Sequence, residues 1–266
     1  MTELHPAVYI IGAGPGDPEL LTLKAYRILT QADVILYADS LVPKQILQDV
    51  RADAELIPTG NKTLEEIIPL MGDRVRENKI VVRLHSGDLS LYSAIHEQIQ
   101  ALRSQNIPFE LIPGISAYQD AAAKLGVELT IPGLVQSIIL TRASGRASAV
   151  PDAENLATLA AHQASLCLYL SARHVEAAQA QLLQHYPPET PVGVCYRLGW
   201  PDEQIWVVPL DKMIEITQTQ QLIRTTLYLI SPSLEANVNH YQNARSRLYH
   251  PDHSHLFRPN SQSAKK

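Results

Sequence analysis

The sequence has 266 residues, of which 45% are hydrophobic and 18% charged, and its formal net charge is -5. This length and composition suit a globular protein whose core needs neither disulfides nor metal ions for support. An acidic chain has no basic face for a phosphate backbone, so we expect no nucleic-acid partner.

Short apolar runs alternate with segments of helical periodicity, a pattern typical of parallel strands joined by crossover helices. In the first half of the chain, strands are predicted at residues 8–11, 34–37, 55–57, 80–84 and 109–112. Helices are predicted at about 18–31, 43–49, 64–78, 91–104 and 116–125. Pro69 lies inside the third helix and is expected to kink or divide it.

The second half repeats this alternation. Strands are predicted at 137–141, 166–170, 192–195, 205–209 and 227–230, and helices near 153–163, 173–186 and 211–222. Two consecutive strands flank residues 199–202 without room for a helix, which predicts a hairpin and therefore a mixed sheet. We expect two α/β domains, at 1–115 and 116–236, followed by a disordered polar tail at 237–266.

The cysteines and the chain's beginning indicate a cytoplasmic protein. Cys167 and Cys195 lie in apolar, strand-like runs and are predicted to be core thiols in a reducing compartment. The first six residues lack a basic leader, and no run approaches the roughly 18 apolar residues of a membrane span, so no membrane partner is expected. The tail histidines His250, His253 and His255 are expected to be solvated, and no metal site is predicted.

The first βα turn, residues 12–17, reads Gly-Ala-Gly-Pro-Gly-Asp. It resembles a dinucleotide fingerprint, but Asp17 stands where the third glycine is required and Pro15 removes a backbone donor. Because an aspartate repels a pyrophosphate, a nicotinamide or flavin enzyme is disfavoured. Glycines let the backbone approach a ligand, and Asp17 or a neighbour can cap the next helix. A tight turn without a ligand is the alternative.

Two further small-residue turns follow the fourth and fifth strands, at residues 85–90 and 113–117. Each has a purely structural alternative: Asp88 with Ser90 can cap a helix, and Gly114 can permit close packing of a helix on the sheet. Because the carboxyl ends of parallel strands meet at one edge of a sheet, the three turns together predict a ligand cleft. None supplies a Ser-His-Asp or Cys-His set for covalent catalysis.

The run 12–17, together with residues 21–24 and 37–42, is similar to the tetrapyrrole methylase family, which includes uroporphyrinogen, precorrin and diphthine methyltransferases. Segments 83–88, 128–133, 136–142 and 200–203 resemble more narrowly the members that methylate carbon 11 of precorrin-4, with or without cobalt. The similarity runs from about residue 7 to residue 233. It implies a mostly parallel N-terminal sheet, a mixed C-terminal sheet, an active-site cleft between the domains, and a homodimer.

The resemblance also implies a C-methyltransferase of cobalamin biosynthesis that depends on S-adenosylmethionine. By matching motifs, the implied cofactor-binding residues are Pro15, Ser86, Gly87, Asp88, Leu91, Ser116, Ala117, Leu170, Leu198 and Thr226. Asp39 matches an acid with a proposed proton-transfer role, and it can instead be an N-cap or turn residue. Leu89, Ser93 and Ala25 depart from the family's usual proline and glycines, which affects local loop geometry.

Precorrins carry many acetate and propionate groups, so the site needs cations despite the chain's net negative charge. The candidates are Arg83, His85, Lys62 and Arg142, with Arg146 and Arg197. For each of them, a surface charge that binds no ligand is the alternative. Alignment of two ligands can lower a barrier by on the order of 7–11 kcal/mol, so a methylase needs little acid-base machinery.

Three other functions stay open. The chain can be another precorrin or uroporphyrinogen methyltransferase of the same family, or a module that binds a tetrapyrrole without turnover. A dehydrogenase that uses NAD is the third, and Asp17 disfavours it. Metal-free and cobalt-loaded substrates are equally compatible with the sequence.

Overall fold

A computed structural model describes residues 4–143, 149–235, 253–254 and 258. Contacts divide the chain into two compact units: Met1–Ala121 with Cys195–Ile205, and Ala122–Val194 with Trp206–Lys266. The domain boundaries expected from the sequence stay a prediction. Arg146, His250, His255 and most of the predicted tail lie outside the described residues.

The first unit is built on a five-stranded sheet. Its strands are β1 (Val8–Gly12), β2 (Val34–Tyr37), β3 (Glu55–Pro58), β4 (Val81–His85) and β5 (Phe109–Ile112). Its helices are α1 (Leu23–Leu29), α2 (Leu64–Arg76), α3 (Ile95–Ser104) and α4 (Ala117–Leu125), the last of which runs into the second unit. The order is β3-β2-β4-β1-β5 and the paired strands are parallel, as predicted.

Both faces of this sheet are covered, as a parallel sheet requires. Every residue of β1 and β4 is buried. Side chains alternate between the two faces of a strand, so Ile11 and Leu84 join one hydrophobic cluster while Ile10 and Val81 join the other. The central strands β4 and β1 are thereby fixed between two cores, and their carboxyl ends are held side by side.

The second sheet contains β6 (Ile138–Arg142), β7 (Ser165–Tyr169), β8 (Pro191–Tyr196), β9 (Gln204–Pro209) and β10 (Thr226–Ile230). The helices are α5 (Leu156–Ala160), α6 (Val175–Leu182) and α7 (Met213–Thr219). The order is β6-β7-β10-β8-β9; β7 pairs parallel with β6 and antiparallel with β10. The predicted mixed sheet and the β8–β9 hairpin are confirmed, and Cys167 and Cys195 are buried thiols.

Several predicted helices are shorter than the periodicity suggested. The helix predicted at 18–31 is interrupted because Thr22 is extended, with ψ 147°, and its side chain caps α1. The segment predicted at 43–49 forms only a 3₁₀ turn, Lys44–Leu47. The helix predicted at 91–104 begins at Ile95, because Tyr92 and Ala94 adopt left-handed φ angles of 53° and 50°. The helices α5, α6 and α7 are likewise shorter, and each follows a 3₁₀ turn.

Pro69 does not divide α2, which runs unbroken from Leu64 to Arg76. A capping box between Thr63 and Glu66 anchors its start, and its apolar face packs into the core. Within the described residues, no helix combines the length and apolar character that crossing a bilayer requires.

Candidate active site

Three turns meet at the carboxyl edge of the first sheet, after the neighbouring strands β4, β1 and β5. Direct backbone hydrogen bonds join the turn after β1 to the turn after β4. Ala13 N–H donates to the His85 carbonyl (2.7 Å), Gly14 N–H to the Gly87 carbonyl (3.2 Å), and Gly87 N–H to the Gly14 carbonyl (2.8 Å). The two sequence motifs, residues 12–17 and 85–90, are therefore joined by backbone hydrogen bonds.

Glycines at the strand ends permit this close approach. A Cβ on Gly12 would lie 2.6 Å from the Gly87 carbonyl oxygen, and a Cβ on Gly114 would lie 2.6 Å from that of Gly12. Gly87 differs from both: its φ is +68° and a Cβ there would have no heavy atom of the described residues within 4 Å. The three backbones thus pack against one another while the space beside Gly87 stays open.

Asp88 braces the turn after β4 against the turn after β5. One carboxylate oxygen accepts from Gly114 N–H (3.1 Å), and the other accepts from Ser90 N–H (2.9 Å) and from the Ser90 hydroxyl. Partial burial alone would raise the pKa of Asp88, but hydrogen bonds from Ser90, Gly114 and Leu89 lower it below its usual value. Asp88 does not cap a helix, because α3 begins seven residues later with Ala94 as its N-cap.

The other implied cofactor residues of the first unit lie on or beside these turns. Leu91 N–H donates to the Asp88 carbonyl (3.4 Å). Ser116 is buried and its N–H donates to Gln119 Oε1 (2.9 Å), and Ala117 begins α4. The structure therefore brings the turns that carry Pro15, Ser86, Gly87, Asp88, Leu91, Ser116 and Ala117 to one sheet edge.

Leu198 belongs to the same unit, through the loop that joins β8 to β9. It is buried, and its carbonyl oxygen would lie 2.8 Å from a Cβ on Gly16. The backbone that carries Leu198 thus contacts the turn that contains Pro15.

A buried polar cluster lies on β4. The Arg83 guanidinium is only 5% exposed; its Nη1 donates to the Thr59 hydroxyl (2.8 Å) and its Nε donates to Gln98 Oε1 (3.3 Å). Among the described residues no carboxylate forms a salt bridge with it. Burial lowers the pKa of Arg83 to about 10, so the side chain stays protonated at neutral pH.

His85 is the neutral member of this cluster. Burial, and to a lesser extent the charge of Arg83, lower its pKa to about 3, although a hydrogen bond with Gln98 acts in the opposite direction. Its Nε2 lies 3.5 Å from Gln98 Nε2, which also donates to the Ala94 carbonyl (3.2 Å). His85, expected as a cation, can offer hydrogen bonds but no positive charge at neutral pH.

Asp39 and Lys62 lie near the ends of β2 and β3. Asp39 is exposed, and its Oδ1 accepts from Gly60 N–H (2.7 Å). Lys62 is half-buried in the same turn, where its N–H donates to the Thr59 carbonyl (3.1 Å). Asp39 therefore makes the turn-stabilising contact that was predicted as the alternative to a proton-transfer role. That contact uses only Oδ1, so Oδ2 does not accept a hydrogen bond from Gly60.

Three sequence-predicted residues belong to the second unit. Leu170 follows β7 with φ +53° and is 62% exposed. Thr226 is buried at the start of β10, and Arg142 ends β6 with its guanidinium 3.4 Å from the Ala149 carbonyl.

Sequence reasoning missed the residues whose roles depend on distant partners. Thr59 and Gln98, which hold Arg83, carry no motif of their own. Gln45, which bonds two turn carbonyls, lies in an undistinguished polar stretch. Trp200 lies in a segment that was singled out, but it was given no role.

Comparison with known proteins gives consistent matches. The model of the tetrapyrrole (corrin/porphyrin) methylases matches residues 7–214. A precorrin-4 C(11)-methyltransferase from Pseudomonas aeruginosa is 42% identical over 95% of this chain and 98% of its own. A solved cobalt-precorrin-4 methyltransferase is 40% identical, with a TM-score of 0.83 over 86% of this chain and 96% of that one.

A more distant solved structure carries a ligand. It is a uroporphyrin-III C-methyltransferase from Thermus thermophilus complexed with S-adenosylhomocysteine, and it is 28% identical to this chain. Its TM-score is 0.72 over 86% of this chain and 99% of its own.

Proposed function

Because the chain belongs to the tetrapyrrole (corrin/porphyrin) methylase family, we propose that it methylates carbon 11 of precorrin-4 or cobalt-precorrin-4 in cobalamin biosynthesis. The observation that carries this proposal is the similarity to relatives of that name over nearly the full length of both chains. The predicted C(11) subgroup segments, 83–88 and 200–203, lie in the unit that contains the three turns.

S-adenosylmethionine supplies the methyl group when bound, and the turns suit such a ligand. The open space beside Gly87, the backbone packing of Gly12 and Gly114, and the brace from Asp88 make a rigid cradle without a cationic phosphate site. The residues proposed to hold the cofactor are Pro15, Ser86, Gly87, Asp88, Leu91, Ser116, Ala117, Leu170, Leu198 and Thr226. They act by binding and orientation, which suits an in-line transfer.

The substrate's carboxylates are proposed to meet Arg83, Lys62 and Arg142. Arg83 supports this proposal most strongly, because within the described part of the chain its buried positive charge is paired only with the neutral oxygens of Thr59 and Gln98. A carboxylate would compensate the cost of burying that charge. His85 contributes as a neutral hydrogen-bonding group.

Asp39 is proposed to accept the proton that the ring loses. Its exposed carboxylate lies beside the turn that contains Lys62, and the hydrogen bond from Gly60 fixes one of its oxygens. The proton would then go to Asp39 and on to solvent.

The decisive experiment incubates the purified protein with S-adenosylmethionine labelled in its methyl carbon and with metal-free or cobalt-loaded precorrin-4. The expected result is one label at carbon 11, observed by carbon NMR and mass spectrometry. The preferred metal state is the one with the higher kcat/KM.

A second candidate is methylation of uroporphyrinogen or another precorrin. The fold of the uroporphyrin enzyme favours it, although that enzyme is less similar to this chain than the precorrin-4 relatives are. Transfer of label to uroporphyrinogen alone would establish this candidate. Tight tetrapyrrole binding without any methylated product would indicate a binding module instead.

We further propose a homodimer, as the family resemblance implies, and a cytoplasmic location, as the buried thiols favour. The mass of one chain is 29.5 kDa, so light scattering on the eluting protein is expected to give twice that value. A mass of one chain at micromolar concentration would contradict the dimer.

A further inference from the structure

The loop between β8 and β9 packs directly on the turn after β1, residues 12–17, which we call the first glycine turn. A Cβ on Gly16 would lie 2.6 Å from Trp200 Cδ1, and a Cβ on Gly199 would lie 2.3 Å from the Asp17 nitrogen. These contacts leave no room for even a methyl group between the loop and the turn.

Gln45 joins the same two segments through one side-chain amide. Its Nε2 donates to the Gly16 carbonyl (2.7 Å) and to the Gly199 carbonyl (2.5 Å). Both protons of the amide are thus used to hold together two stretches that are far apart along the chain.

Side-chain contacts within the loop also hold Trp200. The Arg197 guanidinium lies 4.9 Å from the centre of the Trp200 ring and 5.3 Å from that of Tyr196, and it pairs with Asp202 (2.5 Å). The Glu203 carboxylate accepts a hydrogen bond from Gly199 N–H. Cation–π stacking with Arg197, which also pairs with Asp202, therefore supports the position of the indole.

The indole ring of Trp200 is held by packing and not by a hydrogen bond from its nitrogen to any described residue. Trp200 Nε1 is buried and has no hydrogen-bond partner among the described residues, and an unsatisfied buried donor costs stability. The ring is kept against Gly16 by packing and by Arg197.

We propose that Trp200 is a positioning residue that, together with Gln45, fixes the first glycine turn in the conformation that receives the cofactor. The inference rests on the proposed function, since Pro15 of that turn is a proposed cofactor contact. Trp200 acts through Gly16 and does not itself touch the reacting atoms. Segment 200–203 thereby acquires a physical role in the site.

Removal of the ring is expected to loosen the turn and weaken cofactor binding. Trp200→Ala should raise the Kd for S-adenosylhomocysteine at least about tenfold in calorimetry. Trp200→Phe keeps an aromatic ring and should stay within about threefold of the wild-type Kd. The KM for S-adenosylmethionine should rise in Trp200→Ala while the KM for the tetrapyrrole stays unchanged.

Trp206 supplies the matched control. It is the chain's other tryptophan, it lies in the same hairpin on β9, and it is half-buried like Trp200. Trp206→Ala should lower the thermal midpoint without changing the Kd for S-adenosylhomocysteine. Should Trp200→Ala fail to fold by circular dichroism, Gln45→Ala tests the same contact and should also raise the Kd.

The outcomes distinguish the positioning role of Trp200 from the proposed methyltransferase function. Wild-type affinity in Trp200→Ala, or in Gln45→Ala where that variant replaces it, would overturn the positioning role and leave the proposed function intact. Equal losses in Trp200→Phe and Trp200→Ala would show that an aromatic ring at this position does not hold the turn, and would overturn the packing account. Absence of S-adenosylhomocysteine binding by the wild type would refute the proposed cofactor, and the positioning role with it.

Discussion

Comparing Gly87→Ala with Gly126→Ala separates the effect of lost ligand contact from the effect of backbone strain. Gly87 has φ +68°, and Gly126 has φ +67° at the end of α4. A Cβ on either glycine would have no heavy atom within 4 Å in the part of the chain that the structure describes. Alanine in this left-handed conformation costs roughly 1–2 kcal/mol, so both glycine-to-alanine variants should lose similar free energy of unfolding in urea. Only Gly87→Ala should lose S-adenosylhomocysteine affinity, by more than about tenfold in calorimetry. Similar affinities in the two variants would place the cofactor away from Gly87.

His85 predicts how stability depends on pH. Its folded pKa is about 3, while an unfolded histidine titrates near about 6.5. Between these values the unfolded chain binds a proton that the folded chain does not, so the free energy of unfolding falls as the pH falls below about 6.5. The contribution of His85 approaches about 1.4 kcal/mol per pH unit.

Urea unfolding at about pH 7 and pH 5 tests this prediction. His85→Gln should lose less stability than the wild type between the two conditions. His96→Gln changes an exposed histidine on α3 and serves as the control. An identical loss in the wild type and His85→Gln would show that another group causes the pH dependence.

Single residues also show what the sequence could reveal about the site. The motif around Asp88 identified a strand-end turn correctly, because glycine and aspartate patterns are local. The order of the strands also predicted that this turn meets the one that contains Gly114. The bridging amide of Gln45 was missed, because it joins distant segments and no local pattern encodes it.

At the scale of elements, strands were predictable and helix ends were not. The ten strands were located to within one or two residues because short apolar runs bounded by turn residues mark them in the sequence. The start of α3 was misplaced, since Tyr92 and Ala94 adopt left-handed conformations that usually belong to glycine. Residue type could not predict this geometry, because neither tyrosine nor alanine favours a positive φ.

Pro69 provides a test within α2. It is exposed and lies in the helix interior, where it lacks the N–H for one backbone hydrogen bond. Pro69→Ala should restore that bond and raise the free energy of unfolding by roughly 1–3 kcal/mol in urea titrations. Cofactor affinity should not change. A loss of stability in Pro69→Ala would show that proline rigidity in the unfolded chain outweighs the missing bond.

At the scale of the whole molecule, the parallel first sheet and the mixed second sheet followed from the order of strands and helices. The grouping of residues 195–205 with the first unit did not, because the contacts of Gly16 and Asp17 with Gly199 and Trp200 join segments far apart in the chain. The family resemblance singled out residues 200–203, but their contact with the turn after β1 became visible only in the structure.

We propose that the joined turns after β1 and β4 hold the methyl donor. A crystal structure of the protein with S-adenosylhomocysteine measures this directly. We predict that the ligand lies in van der Waals contact with Gly87 and with the backbone at Pro15. Ligand density that contacts neither turn would contradict the account.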